Sequence, residues 1–302
     1  MIDLSYRKGN LSEGNQTRGL NMKYFEDAFK FVTKNYLILI PIFIATLVPA
    51  LLIIGTTPST ADLQAIINDF QQYPDYFINN PDAFVEALRV AGIGNSASSG
   101  AIATIMNFMA IPMTAGLIKM GLSKGSVSIN DFAVALSSNI GKYLRYFLAG
   151  IVLGILMAVA IVLYLIALLA ILAAMGESGL IVIFLGFILL MVLSVTIAFF
   201  LSFWFGAMVL DDLGAIAALK KSIAIAKRCF WILVGIGLLL VIAEGITTGI
   251  IGFFGFIPFL PTILTAAVSA FATVVHTTFL FMIYRSFQPS STIDVQETNV
   301  IY

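Results

Sequence analysis

Six apolar runs alternate with polar segments along the chain: Tyr36–Ile54, Ala101–Ile118, Tyr146–Ala174, Leu180–Leu210, Phe230–Phe256 and Phe259–Tyr284. An α-helix needs roughly 20 mostly apolar residues to cross a bilayer, and these runs meet or approach that length. The third and fourth exceed it, so they tilt or extend beyond the hydrocarbon. Lipid offers the backbone no hydrogen-bond partner, which leaves helices as the spanning element. The pattern predicts an all-α, polytopic membrane helix bundle with six transmembrane helices. Pro41, Pro49 and Pro112 fall inside runs, where kinks are expected.

The long polar segment from Gly55 to Gly100 carries two weaker helical patterns. In the first, Leu63, Ile66, Ile67 and Phe70 recur on one face, with Ser59 or Thr60 as cap. In the second, Asn80 caps, Pro81 takes the first helical position, and Phe84, Val85 and Leu88 form the stripe. One apolar stripe per helix predicts a helical hairpin packed on the rim of the bundle.

Charge gives the threading. Of the 16 Lys and Arg residues, all but Arg89 fall on one side of the predicted spans. The positive-inside rule then places both termini in the cytoplasm and the acidic hairpin outside. The organisation follows: a cytoplasmic segment 1–35, a membrane domain 36–284 with the 55–100 hairpin outside, and a cytoplasmic tail 285–302. The first apolar run starts too late for an ordinary cleaved signal peptide.

Composition agrees and excludes much chemistry. Hydrophobic residues make up 60% and charged residues 11%, against about 25% charged in a soluble domain. Mean hydropathy is +1.02. A net charge of zero predicts no nucleic-acid partner. The single cysteine, Cys229, and single histidine, His276, exclude an intrachain disulfide and a Cys- or His-rich metal site. Neither a phosphate-binding GxxxxGK[ST] loop nor an HExxH helix occurs. No cofactor is expected, and the chain is read as non-enzymatic.

The stretch Leu210–Trp231, LDDLGAIAALKKSIAIAKRCFW, stands out between two spans. Asp211 or Asp212 is expected to cap a helix at its positive end. Lys220 and Lys227, like Lys221 and Arg228, are seven apart and are expected to share one face. Such a helix suits the headgroup region, its charges drawn to anionic lipid or to a partner. Part of the pattern repeats: ALSSNIGKYLRYFLAG (Ala135–Gly150) aligns with KKSIAIAKRCFWILVG (Lys220–Gly235), and AFKFVTKNYLILIP is a fainter third copy. The repeats suggest three two-helix hairpins, each opened by a basic helix.

Within the spans the only Asp, Glu, Lys or Arg is Glu244. It lies about 21 Å from Phe230 along a helix, past mid-bilayer. A charge there is expensive, so Glu244 must face other helices or a wet cavity, or stay protonated. Asn107, on the second span, is the preferred partner by depth. His276 lies about 9 Å away along the axis. Thr247 and Thr248 share the face of Glu244, and Gly245 with Gly249 offers a close helix approach. The polar candidates inside the membrane are thus Glu244, Asn107, His276 and Thr248.

The segment FWFGAMVLDDLGAIAALKKSIAIAKRCFWILVG combines an aromatic span end, an acidic-glycine turn and Ala-Leu-x-x-Ser before a basic and an aromatic residue. Through Asp211, Asp212, Gly214, Ser222 and Lys227 it resembles the membrane domain of glycerophosphoryl diester phosphodiesterases and related six-span families. The catalytic domain of those enzymes does not follow the last span here. The resemblance implies a prokaryotic integral membrane protein without their hydrolase activity. Two readings remain: a membrane scaffold or accessory subunit of a transport or envelope system, with a membrane-protein or ATPase partner, or a transporter or channel for a small molecule, ion or lipid, using Glu244.

Overall fold

The computed structural model describes residues 13–53, 60–73, 76, 80, 82–83 and 95–288. Every regular element among them is helical. They are α1 (Glu13–Lys34), a short 3-10 turn (Tyr36–Ile38), α2 (Leu39–Ile53), α3 (Thr60–Gln72), α4 (Asn95–Lys124), α5 (Asp131–Met175), α6 (Gly179–Leu201), α7 (Trp204–Leu210), α8 (Ala215–Gly252) and α9 (Leu260–Ser286). Among the described residues, five spans are long and apolar enough to cross a membrane: α4, α5, the pair α6–α7, α8 and α9. A sixth arises when α1 and α2 count together, but these meet at 89°. The chain is a multi-pass α-helical membrane protein.

The helices pack as a closed ring in chain order. Each of α2, α4, α5, α6, α8 and α9 packs on the next, and α9 closes back on α2. The interior is filled at one end by α7, which touches α4, α5, α8 and α9. Trp204, Gly206, Ala207, Met208 and Val209 are all buried there. That end also carries Lys220–Arg228 and is called the basic end below. The run predicted as Leu180–Leu210 is one span broken at Ser202–Phe203, so that α6 belongs to the rim and α7 to the centre.

The first 34 residues, read from sequence as a polar segment, include the amphipathic helix α1. Ala28, Phe31 and Val32 are buried, Tyr24 and Phe25 are half-buried, and the helix packs on α9. Asn35 is buried at the bend, its Nδ2 donating to Phe31 O at 3.0 Å. The sharp turn lets α1 cover the basic end with its apolar stripe while α2 enters the bundle.

Away from the basic end the helices bare their apolar sides. Val152, Ile155, Leu156, Val159, Leu163 and Ile166 of α5 are exposed, as are most large residues of α6. In water this would be untenable; in a bilayer it is the surface that meets acyl chains. At 1.5 Å per residue, the 45 residues of α5 extend about 67 Å, roughly twice the hydrocarbon thickness. Its first turns, Asp131–Arg145, therefore stand clear of the lipid core.

The finer expectations fare differently. In the predicted hairpin, α3 forms, and Ile67 and Phe70 of its stripe are each less than half exposed by relative area. Ser59, Pro81, Phe84, Val85 and Leu88 lie outside the described residues. α2 and α4 continue as single helices through Pro49 and Pro112. The repeat is also out of register. Positions alike in burial are Ala135, Asn139 and Tyr143 against Ala218, Ser222 and Ala226. They are two residues off the pairing of Ser137 with Ser222, and two residues turn a helix by about 200°.

Candidate functional site

The α7–α8 turn puts Asp211 and Asp212 under the mouth of the ring, at the basic end. Neither caps α8, contrary to the sequence reading. The N-cap is Gly214, in extended conformation and without a side-chain cap bond. Asp211 instead ends α7, and Asp212 adopts a φ of 54°, the left-handed region that Asp tolerates better than most residues. That twist sends the two adjacent carboxylates in different directions.

Asp211 faces α8 and α9. Its Oδ2 accepts from Lys221 Nζ and from the Tyr284 hydroxyl, and its Oδ1 accepts from Gln288 Nε2. The Lys221 ammonium lies 5.0 Å from the centre of the Tyr284 ring, a cation–π contact. Asp212 faces α4 and α5: it pairs with Lys142, and Lys119 Nζ lies 3.8 Å away. Lys119 also donates to Val209 O at 2.7 Å, satisfying a carbonyl at the end of α7. Lys142 holds the Asp212 carboxyl below the usual carboxylate range, against the opposing effect of burial.

Neutral bonds complete this polar clasp. Trp204 Nε1 donates to Ala215 O at 2.8 Å, joining α7 to the start of α8. Ser222 Oγ donates to Phe200 O at 2.6 Å, next to the break between α6 and α7. Arg285 reaches Leu122 O from α9 to α4 at 3.3 Å. Tyr146 stacks edge-on against Trp204, centroids 4.9 Å apart, and Tyr143 against Phe205 at 5.2 Å. One two-residue acidic turn thus ties together four helices of the ring.

The basic helix divides its charges. Lys220, Lys227 and Arg228 are exposed, whereas Lys221 turns inward to Asp211. The single face expected for Lys221 and Arg228 is therefore split. Seven residues turn a helix by nearly two whole turns, so the two residues start close to one line, and it is the bond to Asp211 that draws the Lys221 side chain inward. Just beyond them α8 is kinked at Cys229, with φ −118° and ψ 19°. Cys229 is buried at that kink, its thiol donating to Ile225 O at 3.2 Å. Trp231 beyond it is 81% exposed, on the outer surface where a headgroup-level indole belongs.

Glu244 is half-buried on α8, and its Oε1 accepts from Ser269 Oγ of α9. The preferred partner, Asn107, is on α4, across the ring from α8. The partner Glu244 finds is on the adjacent helix α9 instead. Ser269 lies two turns from His276 along α9, about 10 Å by helix rise, so His276 stays well removed from Glu244 along the axis. His276 is half-buried. Thr248 is exposed, and Thr247 satisfies itself on Ala243 O at 2.7 Å. A Cβ at Gly245 or Gly249 would meet nothing within 4 Å, so the expected close helix approach is not made there.

Sequence reasoning missed Lys119, Lys142, Tyr284, Gln288 and Ser269. The available signal was positional: Lys119 and Tyr284 stand at the basic-end limits of their spans, level with the acidic turn.

The fold and this clasp define a polytopic helical membrane protein closed at one end by a charged turn. The chain belongs to the family described as Domain of unknown function (DUF7847), which matches residues 22–288. No curated protein and no solved structure matches it.

Proposed function

We propose that this protein is a non-enzymatic membrane scaffold or accessory subunit of a transport or envelope system in a prokaryotic cell membrane, with both termini cytoplasmic. The observation that carries this reading is where its charged groups go. Asp211 and Asp212 bind lysines of neighbouring helices, and Glu244 binds Ser269 across the α8–α9 contact. A carboxyl bound to a neighbouring hydroxyl acts as interhelical glue. Lys220, Lys227 and Arg228 remain outward, available to anionic lipid or to a membrane-protein or ATPase partner. The resemblance to the phosphodiesterase membrane domain fits this reading, because its motif residues Asp211, Asp212 and Ser222 all take part in the clasp.

The transporter reading requires Glu244 to exchange a proton or cation. The two readings separate in a deletion strain complemented at equal membrane abundance. Under the scaffold reading, Glu244→Gln and Glu244→Leu restore the wild-type phenotype, whereas Lys227→Gln with Arg228→Gln does not. Loss of complementation by Glu244→Gln alone, with the Lys227/Arg228 variant active, would replace it with the transporter reading.

A further inference from the structure

A cleft of about 380 Å³ opens between α4 and α5, beside the clasp at the basic end. Lys119 and Ser123 line it from α4, Ser138, Asn139 and Lys142 from α5, and Asp212 from the turn. Two ammonium groups here share one carboxylate, which leaves a positive excess. Lysine binds phosphate as a point charge with freely rotating donors, as in phosphate-binding loops.

The floor of the cleft is a built polar surface. Asn139 is 2% exposed. Its Nδ2 donates to Ala135 O at 2.8 Å and lies 3.0 Å from Ser138 Oγ, which fixes the orientation of the amide. Its Oδ1 is then left buried without a hydrogen-bond partner. An acceptor of this kind is costly unless something donates to it. Gly116 presses on the same amide: a Cβ there would sit 2.6 Å from Asn139 Nδ2 and 2.7 Å from Ala135 O, so the two helices hold Asn139 in place.

The Asp212 carboxylate is 67% exposed and hangs over the cleft from a left-handed residue. It occupies the anion position but is poorly enclosed, as a replaceable counter-ion would be. We propose that this cleft binds a phosphate ester that also carries a hydroxyl group. The phosphate takes the place of the Asp212 carboxylate between Lys119 and Lys142. The hydroxyl donates to Asn139 Oδ1. Such a ligand is either the headgroup of an anionic lipid or a free polyol phosphate from the adjoining solvent. The site stands whether or not the scaffold reading holds.

The test uses the purified full-length chain. Native mass spectrometry compares retention of phosphatidylglycerol with phosphatidylcholine, and calorimetry measures glycerol phosphate against glycerol. Selective retention of phosphatidylglycerol identifies a lipid headgroup site; heat from glycerol phosphate identifies a soluble ester. In either arm Lys142→Gln and Lys119→Gln weaken binding about tenfold, the loss of a charged hydrogen bond. Asp212→Asn removes the competing carboxylate and tightens it. A purely structural role for the clasp predicts the reverse for Asp212→Asn, namely weakening in step with Lys142→Gln. Melting temperatures taken alongside separate misfolding from lost binding, and Lys119→Gln carries the test if Lys142→Gln does not fold. The proposal is overturned if neither probe binds, if folded lysine variants bind like the wild type, or if Asp212→Asn weakens binding.

Discussion

Asp211 and Asp212 are neighbours in sequence, but they should differ sharply in what they contribute. The Asp211 side chain is 16% exposed and serves three donors, whereas that of Asp212 is 67% exposed. Solvent screens an exposed pair, and a charge removed from an enclosed network leaves its partner stranded. Asp211→Ala should therefore cost about 2–3 kcal/mol and Asp212→Ala less than about 1 kcal/mol, read as thermal unfolding in detergent. Equal losses would mean that the inward network is not what holds α8 to α9. At the other end of the basic surface, Lys124 and the backbone and side chain of Ser128 hold the Asp131 carboxyl down at about 2. The unfolded carboxyl titrates near its ordinary 3.8, so this stabilisation is complete above that value and fades as pH falls from there towards 2. Hydrogen-exchange protection at Ser128–Phe132, measured against the intrinsic amide rate at each pH, should fall over that acid window in the wild type. Asp131→Asn should exchange quickly at every pH.

Among the elements, the α4–α5 contact rests on small residues. A Cβ built on Gly116 would lie 2.7 Å from the carbonyl oxygen of Ala135, whereas a Cβ at Gly150 of α5 would meet nothing within 4 Å. Gly116→Ala should destabilise by about 2 kcal/mol through overpacking. Gly150→Ala, in an open helical position, should be neutral or stabilising by up to about 1 kcal/mol. The paired melting curves check both. Sequence could not rank these glycines, because hydropathy reports only that a residue is small. Some helix ends, by contrast, were legible: α9 runs Leu260–Ser286 where Phe259–Tyr284 was expected, and α5 ends at Met175 where Ala174 was expected, but α5 begins at Asp131 and α8 at Ala215, well before Tyr146 and Phe230. The break between α6 and α7 was not, since Ser202–Phe203 sits in an unbroken apolar stretch. Its cause is tertiary: α7 must reach the centre of the ring, where Trp204 and Ser222 supply the bonds around the break. The stripe of α1 was present in the sequence at helical spacing, but lysines between its apolar residues lowered the average hydropathy and hid it.

At the scale of the molecule, the ring is tight at the basic end and open to lipid elsewhere, so insertion and assembly depend on different residues. Threading can be read directly with cysteine labelling. Cys229 is the one native thiol, and Cys229→Ala clears the background. In that background Lys227→Cys should resist a membrane-impermeant maleimide in intact cells and react after the membrane is opened. Gln71→Cys on α3 should react in intact cells. The opposite pattern would reverse the proposed orientation and place the phosphate cleft on the outer face.

Hydropathy and charge along the chain determined that the protein is helical, that it is a multi-pass membrane protein, and which end is basic. Those properties follow from the transfer of each segment into lipid, which depends on that segment's own residues. Only the folded ring decided that Glu244 meets Ser269 rather than Asn107, that Lys221 turns in while Lys220 turns out, and that Asn139 carries an unanswered acceptor. Partners like these come from helices far apart in sequence. Which helices become neighbours is set by close packing of small and aromatic side chains, a property no single segment possesses.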